Sequence, residues 1–182
     1  AVFAEVAQIV GRYPEPPGEL VQFEPRVISG DVATESLELS VRKLFRMAVH
    51  NAFFQGLGRH PRWLEIVHTL LGPRVHLIQS MLLMKPPRCS TNKVWHQDNG
   101  VAHEEADNTE MLTVWFPLTE ASERSGCLTV VPGSFRGGLQ PHCPVPGRGS
   151  EIPEELIPGE KVQSVPMSPG DVLFMHRRCM HA

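Results

Sequence analysis

His96-Gln97-Asp98 sets an imidazole and a carboxylate two residues apart in the run Val94-Trp95-His96-Gln97-Asp98-Asn99. On an extended strand, residues i and i+2 point to one face, so both side chains can reach one metal ion. A second imidazole is on offer far downstream, where a strand-like segment carries His176 and, at its close, His181. Two imidazoles and one carboxylate are the ligand set of a non-haem Fe(II) centre that keeps positions open for other molecules. Alone, an H-x-D triplet is a weak signal, because it arises by chance in many chains. The surroundings add weight. A polar loop (residues 99–110) follows the aspartate, as expected at the mouth of a barrel, and Gly170-Asp171 opens the later strand. The same three ligands also suit a zinc hydrolase with a metal-bound water, for which Glu104, Glu105 and Asp107 are candidate bases.

The elements that must position these residues fall into two textures. Residues 1–73 read as a helical support region and 74–182 as a β core, together one domain over 1–182. Residues 1–10 have a helical apolar pattern that Gly11 and Pro14, Pro16 and Pro17 end. Residues 21–30 form a short β-like stretch around Pro25. From 36 to 56, apolar residues recur at Val41, Leu44, Phe45, Ala48, Ala52 and Phe53, which predicts an amphipathic helix capped by Thr34 or Ser36. Residues 61–71 predict a third helix, with Pro61 at its first position and Gly72-Pro73 as its stop. Residues 75–84 are an apolar run broken by Lys85-Pro86-Pro87.

Short β-branched strands follow at 111–116 and 127–131, an alternating one at 161–165, a turn at 168–171 and a last strand at 172–176. Such a series suggests a sandwich, jelly roll or barrel. Residues 136–160, rich in Pro and Gly, read as a binding loop or lid.

Composition narrows the classes. The chain has 182 residues, 41% hydrophobic and 20% charged, as a globular chain does. Net charge is -3 with no Lys/Arg block, which argues against nucleic-acid binding and a polybasic membrane anchor. No apolar run reaches the ~18 residues of a spanning helix. Cys89, Cys127, Cys143 and Cys179 make no C-x-x-C pair and read as reduced thiols of a cytoplasmic protein. The expected partner is a small-molecule substrate, and oligomeric state is left open. Ala1 opens inside a helical pattern without Met, and Ala182 follows His181 without turn residues, so a chain truncated at both ends is expected.

Five ordered motifs then carry a resemblance. They are residues 79–87 (Gln-Ser-Met-Leu-Leu-Met-Lys-Pro-Pro), Trp95-His96-Gln97-Asp98, Leu112-Thr113-Val114-Trp115, Ser125-Gly126-Cys127-Leu128 with Val131-Pro132-Gly133-Ser134, and Gly170–His176 with Met180-His181. Together they resemble the phytanoyl-CoA dioxygenase family of Fe(II)- and 2-oxoglutarate-dependent oxygenases, over about residue 37 to the end. The resemblance implies an α+β chain, mainly β with N-terminal helices, on a double-stranded β-helix (jelly-roll, cupin-like) core.

It implies His96, Asp98 and His181 as iron ligands and catalytic centre, with His176 a pocket or strand histidine. It implies Met81 and Trp115 in the 2-oxoglutarate pocket, and Lys43 there from the preceding helix. By the family's chemistry, O2 and 2-oxoglutarate yield succinate, CO2 and a ferryl oxidant that hydroxylates a small organic substrate. Retention of Asp98 favours hydroxylation over halogenation. An arginine about ten residues beyond His181 is expected to pair with the distal carboxylate of 2-oxoglutarate. Arg177 and Arg178 precede His181 and do not fit that role. The alternative is a non-catalytic cupin-like metal- or ligand-binding module. His103 and His142 read as exposed loop histidines; no dense basic patch favours CoA phosphates, though Arg136 and Arg148 could contribute.

Overall fold

The computed structural model describes residues 1–12, 20–36, 38–101, 110–145 and 149–182. Contacts divide the chain into two compact units, Ala1–Thr91 and Asn92–Ala182, a later boundary than the change of sequence texture at 73/74. Helices and antiparallel strands make it an α+β chain.

In the first unit, α1 (Val2–Arg12) buries Val6, Ile9 and Val10, the i, i+3, i+4 stripe of an amphipathic helix. Strands β1 (Val21–Phe23), β2 (Val41–Phe45) and β3 (Met81–Leu83) form an antiparallel sheet in that order. Leu44 of β2 pairs with Val21 on one side and Leu82 on the other. This face joins α1, Met47 and Phe54 in the unit's core. The opposite face carries Lys43, Phe45, Met81 and Leu83, because side chains alternate along each strand. There Met81 and Leu83 stay exposed.

Two expectations are corrected here. Residues 36–56 are not one helix. Ser36 accepts from the Leu39 N–H and starts a 3-10 turn over Glu38–Ser40, and then the chain enters β2. Val41, Leu44 and Phe45 fit a helical period locally, but a segment paired on both sides gains ladder bonds and a buried face that an isolated helix there would lack. Arg46, at φ 57°, turns the chain out of the strand into α3 (Met47–His50). Asn51 then accepts from the Phe54 N–H to cap α4 (Ala52–Gly58). Lys43 therefore sits on a strand, not a helix.

The β-like reading of 21–30 also holds only to Phe23. Pro25 opens the short helix α2 (Pro25–Ile28), where its missing N–H is no loss. Helix α5 (Pro61–Leu71) runs as expected, with Pro61 at its start and Gly72, at φ 88°, at its stop. Of the apolar run 75–84, only β3 is strand.

In the second unit, β4 (Leu112–Trp115) pairs antiparallel with β9 (Leu173–His176), and β5 (Leu128–Val130) with β8 (Gln163–Val165). A third antiparallel pair sets β6 (Cys143–Val145) beside β7 (Gly149–Glu151). The predicted turn at 168–171 forms, with the Asp171 N–H bonded to the Ser168 carbonyl and the Asp171 carboxylate accepting from the Ser168 N–H. Single rungs extend these pairs. Ile152 N–H donates to Trp95, His96 and His181 exchange two backbone bonds, and Thr129 and Ala182 exchange two more. Val131, Ile152 and Met180 are the buried core, with Trp95, Ile157 and Val162 packed on it. Among the described residues, no helix is long and apolar enough to cross a membrane.

Candidate metal centre

His96 and His181 form a single antiparallel rung. They face each other across it, with N···O distances of 2.9 and 3.0 Å in the two directions. Their rings lie 4.1 Å apart between centroids. Asp98 does not continue the strand, as the H-x-D reading expects; it opens the short helix α6 (Asp98–Val101). A Gly100 N–H to Gln97 carbonyl bond of 2.9 Å turns the chain there. The turn still delivers the carboxylate: Asp98 Oδ1 lies 3.7 Å from Nε2 of both His96 and His181. Among the described residues, these three are the one set of His, Cys, Asp or Glu whose ligand atoms converge, all within 4.8 Å of one another.

The donor chemistry fits a divalent metal ion. Nδ1 of His96 lies 2.9 Å from the Val94 carbonyl, and Nδ1 of His181 lies 3.0 Å from the Cys179 carbonyl. A carbonyl only accepts, so each Nδ1 carries the proton and each Nε2 keeps a lone pair aimed at Asp98. Both rings are buried. Burial first, and then the neighbouring His181, push the His96 pKa down to about 2, which keeps that ring in its neutral, ligating form.

Asp98 Oδ2 accepts from the hydroxyl of Thr113 on β4, leaving Oδ1 to the histidines. Thr113 is a residue that sequence reasoning missed; a lone hydroxyl at an alternating position of an otherwise apolar strand is the available signal. Thr113→Val should weaken Co(II) or Fe(II) binding about 10-fold or more while leaving the fold intact, as for other hydrogen-bond partners of a metal ligand. Unchanged affinity in a metal titration would show that Thr113 does not orient the carboxylate.

The remaining candidates separate. His176, on β9, is not in the cluster: its Nδ1 accepts from the Arg178 N–H at 3.0 Å and its ring lies 5.0 Å from Phe135. Trp115 lies on β4 opposite Leu173, on the same face as Thr113. Lys43 and Met81 lie in the first unit on one sheet face, Lys43 with its amine 4.5 Å from the Phe45 ring and its pKa lowered by burial and by Arg42. Arg177 is buried and donates to Asn99 Oδ1. Arg136 lines a cavity of about 430 Å³ with Val131, Ser134 and Lys161, none of them a member of the trio. His142 is corrected: it is half-buried and hydrogen-bonded to Gln97, not an exposed loop histidine. His103, Glu104, Glu105, Asp107 and Arg148 lie outside the described residues.

Comparison with known proteins gives a consistent picture. Ectoine dioxygenase of Bordetella parapertussis is 32% identical over 116 residues, 62% of this chain and 38% of that protein. Peroxisomal phytanoyl-CoA dioxygenase of Bos taurus is 31% identical over 85 residues, 45% of this chain and 25% of that protein. The matched segments thus cover well under half the length of these curated relatives. Among solved structures, EctD from S. alaskensis with 2-oxoglutarate and 5-hydroxyectoine superposes with a TM-score of 0.71 at 21% identity, covering 99% of this chain and 60% of that one. The carbocyclase SnoK from nogalamycin biosynthesis, described as non-heme and alpha-ketoglutarate-dependent, gives a TM-score of 0.62 at 25% identity over 76% of this chain and 55% of its own. The family model for phytanoyl-CoA dioxygenase matches residues 16–182, and the chain belongs to that family.

Proposed function

We propose that the protein is an Fe(II)- and 2-oxoglutarate-dependent dioxygenase that hydroxylates a small organic substrate. The convergence of His96, Asp98 and His181 on one point carries this reading. Family membership supports it, as do neighbouring structures described as holding Fe or 2-oxoglutarate. Bound there, the metal would supply oxygen activation coupled to oxidative decarboxylation of 2-oxoglutarate.

The chain's own residues hold and orient. His96 and His181 offer Nε2, and Asp98 offers Oδ1. Three ligands leave positions for co-substrate and oxygen. Lys43, Met81 and Trp115 are assigned to the 2-oxoglutarate pocket. This assignment rests on the family resemblance: Lys43 and Met81 share a sheet face of the first unit, and Trp115 shares a β4 face of the second with Thr113.

The core we propose is a double-stranded β-helix within a single oxygenase domain, a reading that the antiparallel strand pairs of the second unit support. A cytoplasmic setting, where thiols stay reduced, suits its four unpaired cysteines.

The full-length protein supplied with Fe(II), O2 and 2-oxoglutarate should release succinate even before its substrate is known, and His96→Ala should not. Metal binding without succinate release, across a panel of small-molecule substrates, would return the chain to a cupin-like binding module.

A further inference from the structure

Gln97, the middle residue of the triplet, is fully buried, and its side chain bonds backbone groups of Gly138, Gln140 and Arg178 rather than the trio. All of its side-chain hydrogen-bonding groups are engaged. Nε2 donates to the carbonyls of Gly138 at 2.9 Å and Arg178 at 2.6 Å, and Oε1 accepts from the Gln140 N–H at 2.8 Å. Two carbonyls and one N–H admit only this orientation of the amide. Its own backbone N–H donates to His142 Nε2 at 3.0 Å, while His142 Nδ1 lies 2.8 Å from the Gln140 carbonyl. His142 is therefore held in one neutral tautomer, accepting at Nε2 and donating at Nδ1. A Cβ at Gly100 would overlap the His142 ring, so glycine there lets the ring lie against α6. Asn99 repeats the pattern one step on, with its N–H on the Arg177 carbonyl and its Oδ1 accepting from the Arg177 guanidinium.

One residue thus ties together three segments: the ligand-bearing turn, the 138–142 loop and the approach to His181. We propose that Gln97 and His142 are a positioning pair that latches the 138–142 loop onto the ligand-bearing segment and fixes the distance of His181 from His96 and Asp98. An apolar residue at 97 would leave three half-buried backbone groups unmatched, so the loop and the Arg178 turn would both come away. The proposal rests on the metal reading of the centre only for its effect on affinity.

The test combines residue-resolved amide hydrogen exchange with Co(II) titration of Gln97→Leu, His142→Phe and Gly100→Ala in the full-length protein. Exchange should rise about 10-fold or more at Gln140 in Gln97→Leu and at Gln97 in His142→Phe, with β4 and β9 amides unchanged. Co(II) affinity should fall about 10–100-fold, the range for residues that orient metal ligands. Gly100→Ala, which removes no hydrogen-bonding group, should reproduce the His142→Phe result by displacing the ring. If Gln97→Leu does not fold, the other two variants decide the matter, since neither leaves a buried side-chain amide unmatched. Exchange that rises equally through the whole unit, or stays at the wild-type value, overturns the latch. So does wild-type Co(II) affinity in all three variants. Wild-type protein that binds no Co(II) would instead remove the metal reading, and the exchange data alone would then support or reject the latch.

Discussion

Asp98→Ala and His181→Ala each lower Co(II) or Fe(II) affinity by more than about a hundredfold, beyond the effect of losing a partner that merely orients a ligand. His176→Ala leaves affinity within about twofold. The contrast is the sharp part, because His176 and His181 lie five residues apart and both face candidate positions on sequence grounds. In the structure they diverge. His181 presents Nε2 to Asp98, whereas His176 spends Nδ1 on the Arg178 N–H and stacks toward Phe135. A visible-absorption titration with Co(II) reads all three variants directly. Loss of metal in His176→Ala with retention in His181→Ala would reverse the assignment. Asp98→Ala should have little effect on folding, since its carboxylate is partly exposed and held chiefly by Thr113.

Leu44→Ala is expected to destabilise the first unit by about 3 kcal/mol, within the usual range for emptying a buried leucine site. Leu44 has no exposed surface and sits on the central strand, with Val21 and Leu82 beside it and α1 over the sheet. Neighbours on both sides of a central strand have little freedom to collapse into the space left behind. The measurement is chemical denaturation followed by tryptophan fluorescence and circular dichroism. Leu83→Ala is the control: Leu83 is 50% exposed on the opposite face, and its removal should shift stability by under about 0.5 kcal/mol. Equal effects from the two substitutions would show that the sheet buries the wrong face.

Much of the site was legible because its signal is chemical. His96 and Asp98 were read from residue type and His181 from the motif resemblance, and the structure brings the same three together. Four strands of the same unit, β4, β5, β8 and β9, were read within a residue or two from β-branched or alternating runs and the turns between them. The geometry was less legible. The i, i+2 argument assumed a strand through Asp98, while the chain turns into α6 there. Segment 36–56 shows why: apolar spacing at 41, 44 and 45 suits a helix, and only the pairing partners of β2, 20 and about 40 residues away, make it a strand.

By itself, the sequence determined which atoms are available to hold a metal, since ligand chemistry belongs to side-chain type. It also marked the turns and helix starts that Pro61, Gly72 and Ser168–Asp171 dictate, because those depend on local backbone preference. Residue type left His176 and His181 both on offer and the motif resemblance chose His181; the tertiary structure brings its Nε2 to 3.7 Å from Asp98. It alone decided that Thr113 holds the carboxylate and that Gln97 joins three segments. Each of these rests on contacts between residues 15 to 85 positions apart, and no local pattern encodes which distant partners a folded chain will bring together.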